Sequence, residues 1–96
     1  MHACVLRMEI LVGHSRSLKD KRQVVRALLD GARARFGVAA AEVDHQDTWQ
    51  RAGLAFAVVG AGAGHVDDVL GAVEAWVWSH PEIEVTIHER VWWEDR

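Results

Sequence analysis

Between Asp44 and Arg51 the chain gathers two carboxylates, an imidazole, an indole and a guanidinium in the run Asp44-His45-Gln46-Asp47-Thr48-Trp49-Gln50-Arg51. Carboxylates beside a histidine can move protons or begin a metal site. A metal site needs three or four ligands, however, and His2, His14, His65, His80 and His88 show no ligand spacing such as H-x-x-x-H. Asx side chains that fix a turn explain Asp44, His45 and Asp47 equally well. No metal, cofactor or catalytic residue is therefore assigned. Trp49 next to Arg51 suits stacking on a base or anchoring a protein contact, and its plain alternative is to fold back over the edge of a sheet.

A second group of chemically active residues precedes that run. From Ser15 to Phe36 seven basic residues stand against Asp20 and Asp30, a balance of +5 in a chain whose net charge is -3. The overall charge argues against nucleic acid, because phosphate neutralisation needs clustered cations. Their distribution restores one basic face. At 100 degrees per residue Lys19, Arg22, Arg26 and Arg33 form a stripe beside the apolar one, and Lys21 joins them as a candidate for meeting phosphates. With His45, Trp49 and Arg51 these make the candidate binding set, although a charged helix is often merely a solvated one.

Other motifs are weaker. Gly13-His14-Ser15-Arg16-Ser17 resembles a nucleophile elbow but lacks the final glycine and the large parallel sheet that motif requires. Gly60 to Gly64 precede a helix, yet there is no Walker lysine, and Asp67 and Asp68 would repel phosphate. Gly53-Leu54-Ala55-Phe56 only echoes the aromatic motif by which RNA-recognition sheets stack bases, and the periodicity turns Leu54 and Phe56 towards the core. The glycine-rich loop ending in Phe-Arg that marks acylphosphatases has no counterpart after the first strand.

The elements that must position these residues are well marked. Residues 2 to 12 alternate as a half-buried strand. Ser17 caps a helix, with Asp20 completing a capping box, and Leu18, Val25, Leu28, Leu29, Ala32 and Phe36 share its apolar stripe. Gly37 should end it. Val38 to Val43 and Arg51 to Gly60 read as strands joined by the polar loop. A second amphipathic helix follows through Val66, Val69, Leu70, Val73, Trp76 and Val77, with Asp67 and Asp68 near its positive end. Ile83, Val85 and Ile87 begin a last strand that continues towards Trp92 and Trp93, which must point to opposite faces.

The order βαββαβ predicts an α+β, ferredoxin-like sandwich: a four-stranded antiparallel sheet with two helices on one face. Its length of 96 residues suits a single domain, residues 1 to 96, with a core of its own. The lone Cys4 cannot form an internal disulfide and belongs in the core. No membrane span and no signal segment are visible, so a cytoplasmic location is expected. The open face of the sheet calls for a cover, and a homodimer would supply one.

Two signatures carry a family resemblance: Ser17-Leu-Lys-Asp-Lys-Arg22 and Glu42-Val-Asp-His-Gln-Asp-Thr-Trp-Gln-Arg51. The chain resembles the YlxP-like family of small bacterial proteins, a domain of unknown function, over nearly its whole length. That resemblance implies the same ferredoxin-like fold. It also implies gene neighbours that include the transcription factor NusA, translation initiation factor two and ribosome-binding factor A, hence a role near RNA or ribosome maturation, and no catalytic residues. The expected function is a non-enzymatic domain that contacts RNA or a ribosomal particle. The alternative is an interaction module for an acidic protein partner, and a small hydrolase or metal-dependent enzyme ranks last.

Overall fold

Alternation along the first strand sets the two sides of the sheet, since successive side chains point to opposite faces. Cys4, Leu6, Met8 and Ile10 are buried, and the residues between them are partly exposed. The computed structural model describes residues 1–95, in the order β1 (His2–Leu11), α1 (Leu18–Phe36), β2 (Ala39–Asp44), β3 (Arg51–Gly60), α2 (Ala63–Trp78) and β4 (Glu84–Glu94). The strands lie in the order β2-β3-β1-β4, and neighbours are antiparallel. This is the ferredoxin-like α+β arrangement. Each β-α-β unit straddles a strand of the other, so both helices return over the same face.

The covered face is closed by Leu54 and Phe56 of β3, by Val25, Leu28 and Ala32 of α1, and by Val66, Leu70 and Val73 of α2. Leu54 and Phe56 are therefore unavailable for stacking a base, as their periodicity indicates. Cys4 also belongs to this core, and burial pushes its thiol above the usual range, with Arg90 exerting a smaller opposite pull.

Both ends of α1 follow from its sequence. Ser17 Oγ accepts the Asp20 N–H at 3.1 Å, which satisfies one of the orphan donors of a helix start. The reciprocal half of the box is displaced by one residue: Asp20 Oδ2 accepts from the backbone N–H of Arg16 at 3.1 Å. At the far end Gly37 adopts φ 66 and donates to Arg33 O at 3.1 Å, a left-handed cap that glycine adopts without a Cβ penalty.

Gly31, in mid-helix, has another role. A Cβ there would lie 2.5 Å from Trp76 Cη2, so the missing side chain makes room for the indole where the helices meet. Trp76 then packs edge-on against Phe36 and His80.

The start of α2 departs from expectation. Gly62 is its N-cap, without a side-chain cap, and its first turn holds no acid. Asp67 and Asp68 fall one turn further in, because Ala63 to His65 are already helical, and Asp67 pairs with Arg90 of β4. No helix among the described residues is long and apolar enough to cross a membrane.

Candidate functional site

Lys21 is the residue whose place differs most from its sequence reading. Expected among the phosphate-facing cations, it is 0% exposed. Its ammonium donates to Glu42 Oε2 at 2.8 Å, His45 O at 2.8 Å and Gln46 O at 3.2 Å. Three donors meet three acceptors, so a lysine can be buried here without an orphaned group. The signal was present in the sequence. Positions 21, 25, 28 and 32 share one helix face, so Lys21 lies on the apolar stripe and not on the basic one. Glu42 alternates with Ala40 on the covered side of β2, an acid where an apolar residue is expected. The two sequence signatures thus meet in one buried ion pair.

This clasp fixes the β2–β3 loop. His45 adopts φ 60, a left-handed conformation uncommon outside glycine and tolerated best by Asn, Asp and His. It lets the carbonyls of His45 and Gln46 turn towards Lys21 while the imidazole turns to the other side of the sheet. There Nε2 lies 2.6 Å from Glu9 Oε1. A carboxylate only accepts, so Nε2 carries the proton of that bond. Further along, Gln50 O accepts from Val12 N at 2.8 Å, and Gln50 Nε2 donates to Ser15 O at 3.3 Å. Trp49, 48% exposed, is presented by a loop tied down on both sides.

The titratable cluster is also different from the one expected. Glu9, Asp44 and His45 bring their ligand-type atoms within 4.8 Å of one another, with Glu9 in the place assigned to Asp47. Register gives the reason: Glu9, Gly53 and Asp44 occupy one row across β1, β3 and β2. Gly53 offers no side chain between them, and a Cβ there would come 2.7 Å from Asp44 Cβ. Arg7 then places Nη2 at 3.4 Å from Glu9 Oε1 and 3.5 Å from Asp44 Oδ2, and Nη1 at 3.2 Å from Glu89 Oε1. The carboxylates already face a fixed cation, and a metal ion would have to displace that guanidinium.

The basic stripe survives in reduced form. Lys19, Arg22 and Arg26 are exposed and form no ion pair with a described residue. They line a shallow depression with Gln23. Arg22 and Arg26 also border an open groove of about 410 Å³, between α1 and β2, whose floor includes Val25 and Leu29. Arg33 is held at the far end of that groove by Asp30, at 3.0 Å, and by Ala40 O.

Arg51 and the His45 imidazole do not join the stripe. Both belong to the uncovered side of the sheet, where Arg51 pairs in register with Leu11. The structure therefore brings the loop backbone to the N-terminal part of α1, through Lys21 and through Gln50 at Ser15, while separating two expected members from it. Arg16, exposed at the same end, is a cation that the sequence reading left out of the binding set. Ser15 is buried and its hydroxyl is spent on Ser17 O at 2.9 Å, as a turn residue requires and an exposed nucleophile does not allow.

Comparison with known proteins matches residues 3–90 to the family model described as "Protein of unknown function (DUF503)". The chain is also 36% identical over 84 residues to "Uncharacterized protein YlxP" of Bacillus subtilis (strain 168). That alignment covers 88% of this chain and 91% of the relative.

Proposed function

The chain belongs to the DUF503 family of proteins of unknown function, and on that footing we propose that it is a non-enzymatic binding domain. Its α1 cations meet the phosphate backbone of structured RNA or of a ribosomal particle. One observation carries this reading. Lys19, Arg22 and Arg26 are exposed together on one helix face without acid partners among the described residues, while Arg7, Lys21, Arg33 and Arg90 are all engaged within the protein. Much of the acidic surplus is drawn away from that face: Glu9, Asp44 and Glu89 surround Arg7, and Asp67 and Glu74 surround Arg90.

Seven residues of helix separate Lys19 from Arg26, a span of about 10 Å, so the stripe covers two or three backbone phosphates. Such contacts position a partner without reading its sequence. Trp49, exposed on the loop that Lys21 holds, offers an aromatic surface suited to an unstacked base. Binding of purified ribosomal particles and of structured RNA, followed against salt, tests the proposal. Three phosphate contacts give a log-log slope of about -2 to -3, and Arg22→Glu with Arg26→Glu should flatten it. No association at low salt, or variants indistinguishable from the parent, would refute it.

The groove beside α1 favours a second reading, in which an acidic peptide lies along β2 with its side chains on Arg22 and Arg26. The apolar floor of Val25 and Leu29 has no use for a phosphate backbone and suits a peptide. A complex that survives nuclease treatment and is lost on the same two charge reversals separates this reading from the first.

A further inference from the structure

The sheet face turned away from the helices is covered by nothing among the described residues. Register dictates what each row across it carries. Val59, Ala3 and Trp93 share one row, and Ala39, Ala57, Val5 and Val91 the next. Towards the loop follow Ala41, Ala55, Arg7 and Glu89, then Asp44, Gly53, Glu9 and Ile87. Val59, Val91 and Trp93 are 70%, 47% and 56% exposed. Two adjacent rows are thus wholly apolar and in contact with water.

We infer that this face is the contact between two copies of the chain, stacked sheet on sheet about a twofold axis that runs along the strands. The size gradient across the sheet supports a second copy as the occupant. One edge strand, β4, carries the bulky Ile87, Val91 and Trp93, while the other, β2, carries Ala39 and Ala41. An axis along the strands lays each β4 over the other copy's β2 row by row, so Val91 meets Ala39 in the apolar row that both strands share. Stacked sheets pack about 10 Å apart with interdigitated side chains, and an isologous contact requires such a self-complementary patch.

Charge agrees with this axis. Arg7, at the centre of the face, is already paired within its own chain, so covering it strands no cation. Arg51 has no acid partner among the described residues. Under the same axis β3 lies over the other copy's β1, which brings Arg51 one row from that copy's Glu9. Size agrees as well. Four strands and five rows span roughly 19 by 30 Å, a projection on the order of 600 Å². With side-chain relief this approaches the ~800 Å² per partner of a specific interface.

Sedimentation of the full chain should report a mass of about 21 kDa, twice that of the 10.7 kDa chain. Val59→Lys with Val91→Lys should return it to a monomer, raising the dissociation constant by at least about a hundredfold. Both side chains face water in the single chain, so circular dichroism should be unchanged. Trp78→Lys, on the exposed side of α2, should leave the dimer intact. In a mixed sample of differently labelled chains, intermolecular methyl contacts should join Val91 to Ala39. A monomeric parent at tens of micromolar, a dimer indifferent to the two lysines, or a dimer without those methyl contacts would each overturn the inference.

Discussion

Replacing Lys21 by methionine removes the ammonium while keeping most of the apolar stem. It leaves the Glu42 carboxylate and the carbonyls of His45 and Gln46 facing a methyl group. Breaking a buried ion pair from one side costs about 3–5 kcal/mol, because the other charge is left uncompensated. The Glu42 side chain keeps 17% exposure, so water can reach part of it, and the lower figure of about 3 kcal/mol applies. For a domain of this size that lowers the melting temperature by roughly 12–24 °C.

Urea unfolding followed by tryptophan fluorescence measures the loss as a shift of midpoint at constant slope. The second arm is the double variant Lys21→Met with Glu42→Met. If the stranded carboxylate is the cause, the pair should recover more than half of the loss, a coupling that independent sites do not show. A single substitution costing under about 1 kcal/mol, or two effects that simply add, would refute the buried clasp.

Other consequences follow from single contacts. Gly31→Ala should lower stability despite a helix-propensity gain of about 1 kcal/mol, because its Cβ would meet the Trp76 ring at 2.5 to 2.7 Å; a more stable protein in urea would contradict this. His45→Gly should be milder than His45→Ala by about 1 kcal/mol, since both lose the Glu9 bond but only alanine keeps the left-handed strain; the reverse order in thermal melts would remove φ 60 as the reason. The Cys4 thiol should react with aromatic disulfides only as fast as the protein opens, and rapid native-state labelling would place it outside the core. Because its folded pKa is raised, its contribution is present in full below the unfolded thiol's pKa. It is lost as pH rises through the folded one, which stability measured across alkaline pH will show.

Much of the architecture was legible from residue order. The limits of β3, the Ser17 and Gly37 ends of α1, the inward course of Leu54 and Phe56 and the opposed directions of Trp92 and Trp93 all rest on local periodicities and caps. α2 starts one turn before Asp67 and Asp68 suggest, because Gly62 and Gly64 look like breakers and nothing local shows that Ala63 already has helical geometry. In the candidate site the loop was recognised, but its attachments were not. The partners of His45 come from positions 9 and 21, and no spacing within the loop points to either.

Sequence by itself determined the order of elements, the apolar faces and the charge-rich helix and loop, because each depends on neighbours a few residues apart. Tertiary structure decided which of those charges remain free. The order β2-β3-β1-β4 sets Glu9 across the side-chain-free Gly53 from Asp44, and the packing of α1 on β2 sets Lys21 against Glu42. Both are long-range placements, and they turn one expected phosphate contact into a buried clasp while leaving Lys19, Arg22 and Arg26 exposed. The same strand order leaves one face of the sheet bare, with bulky residues at one edge and alanines at the other.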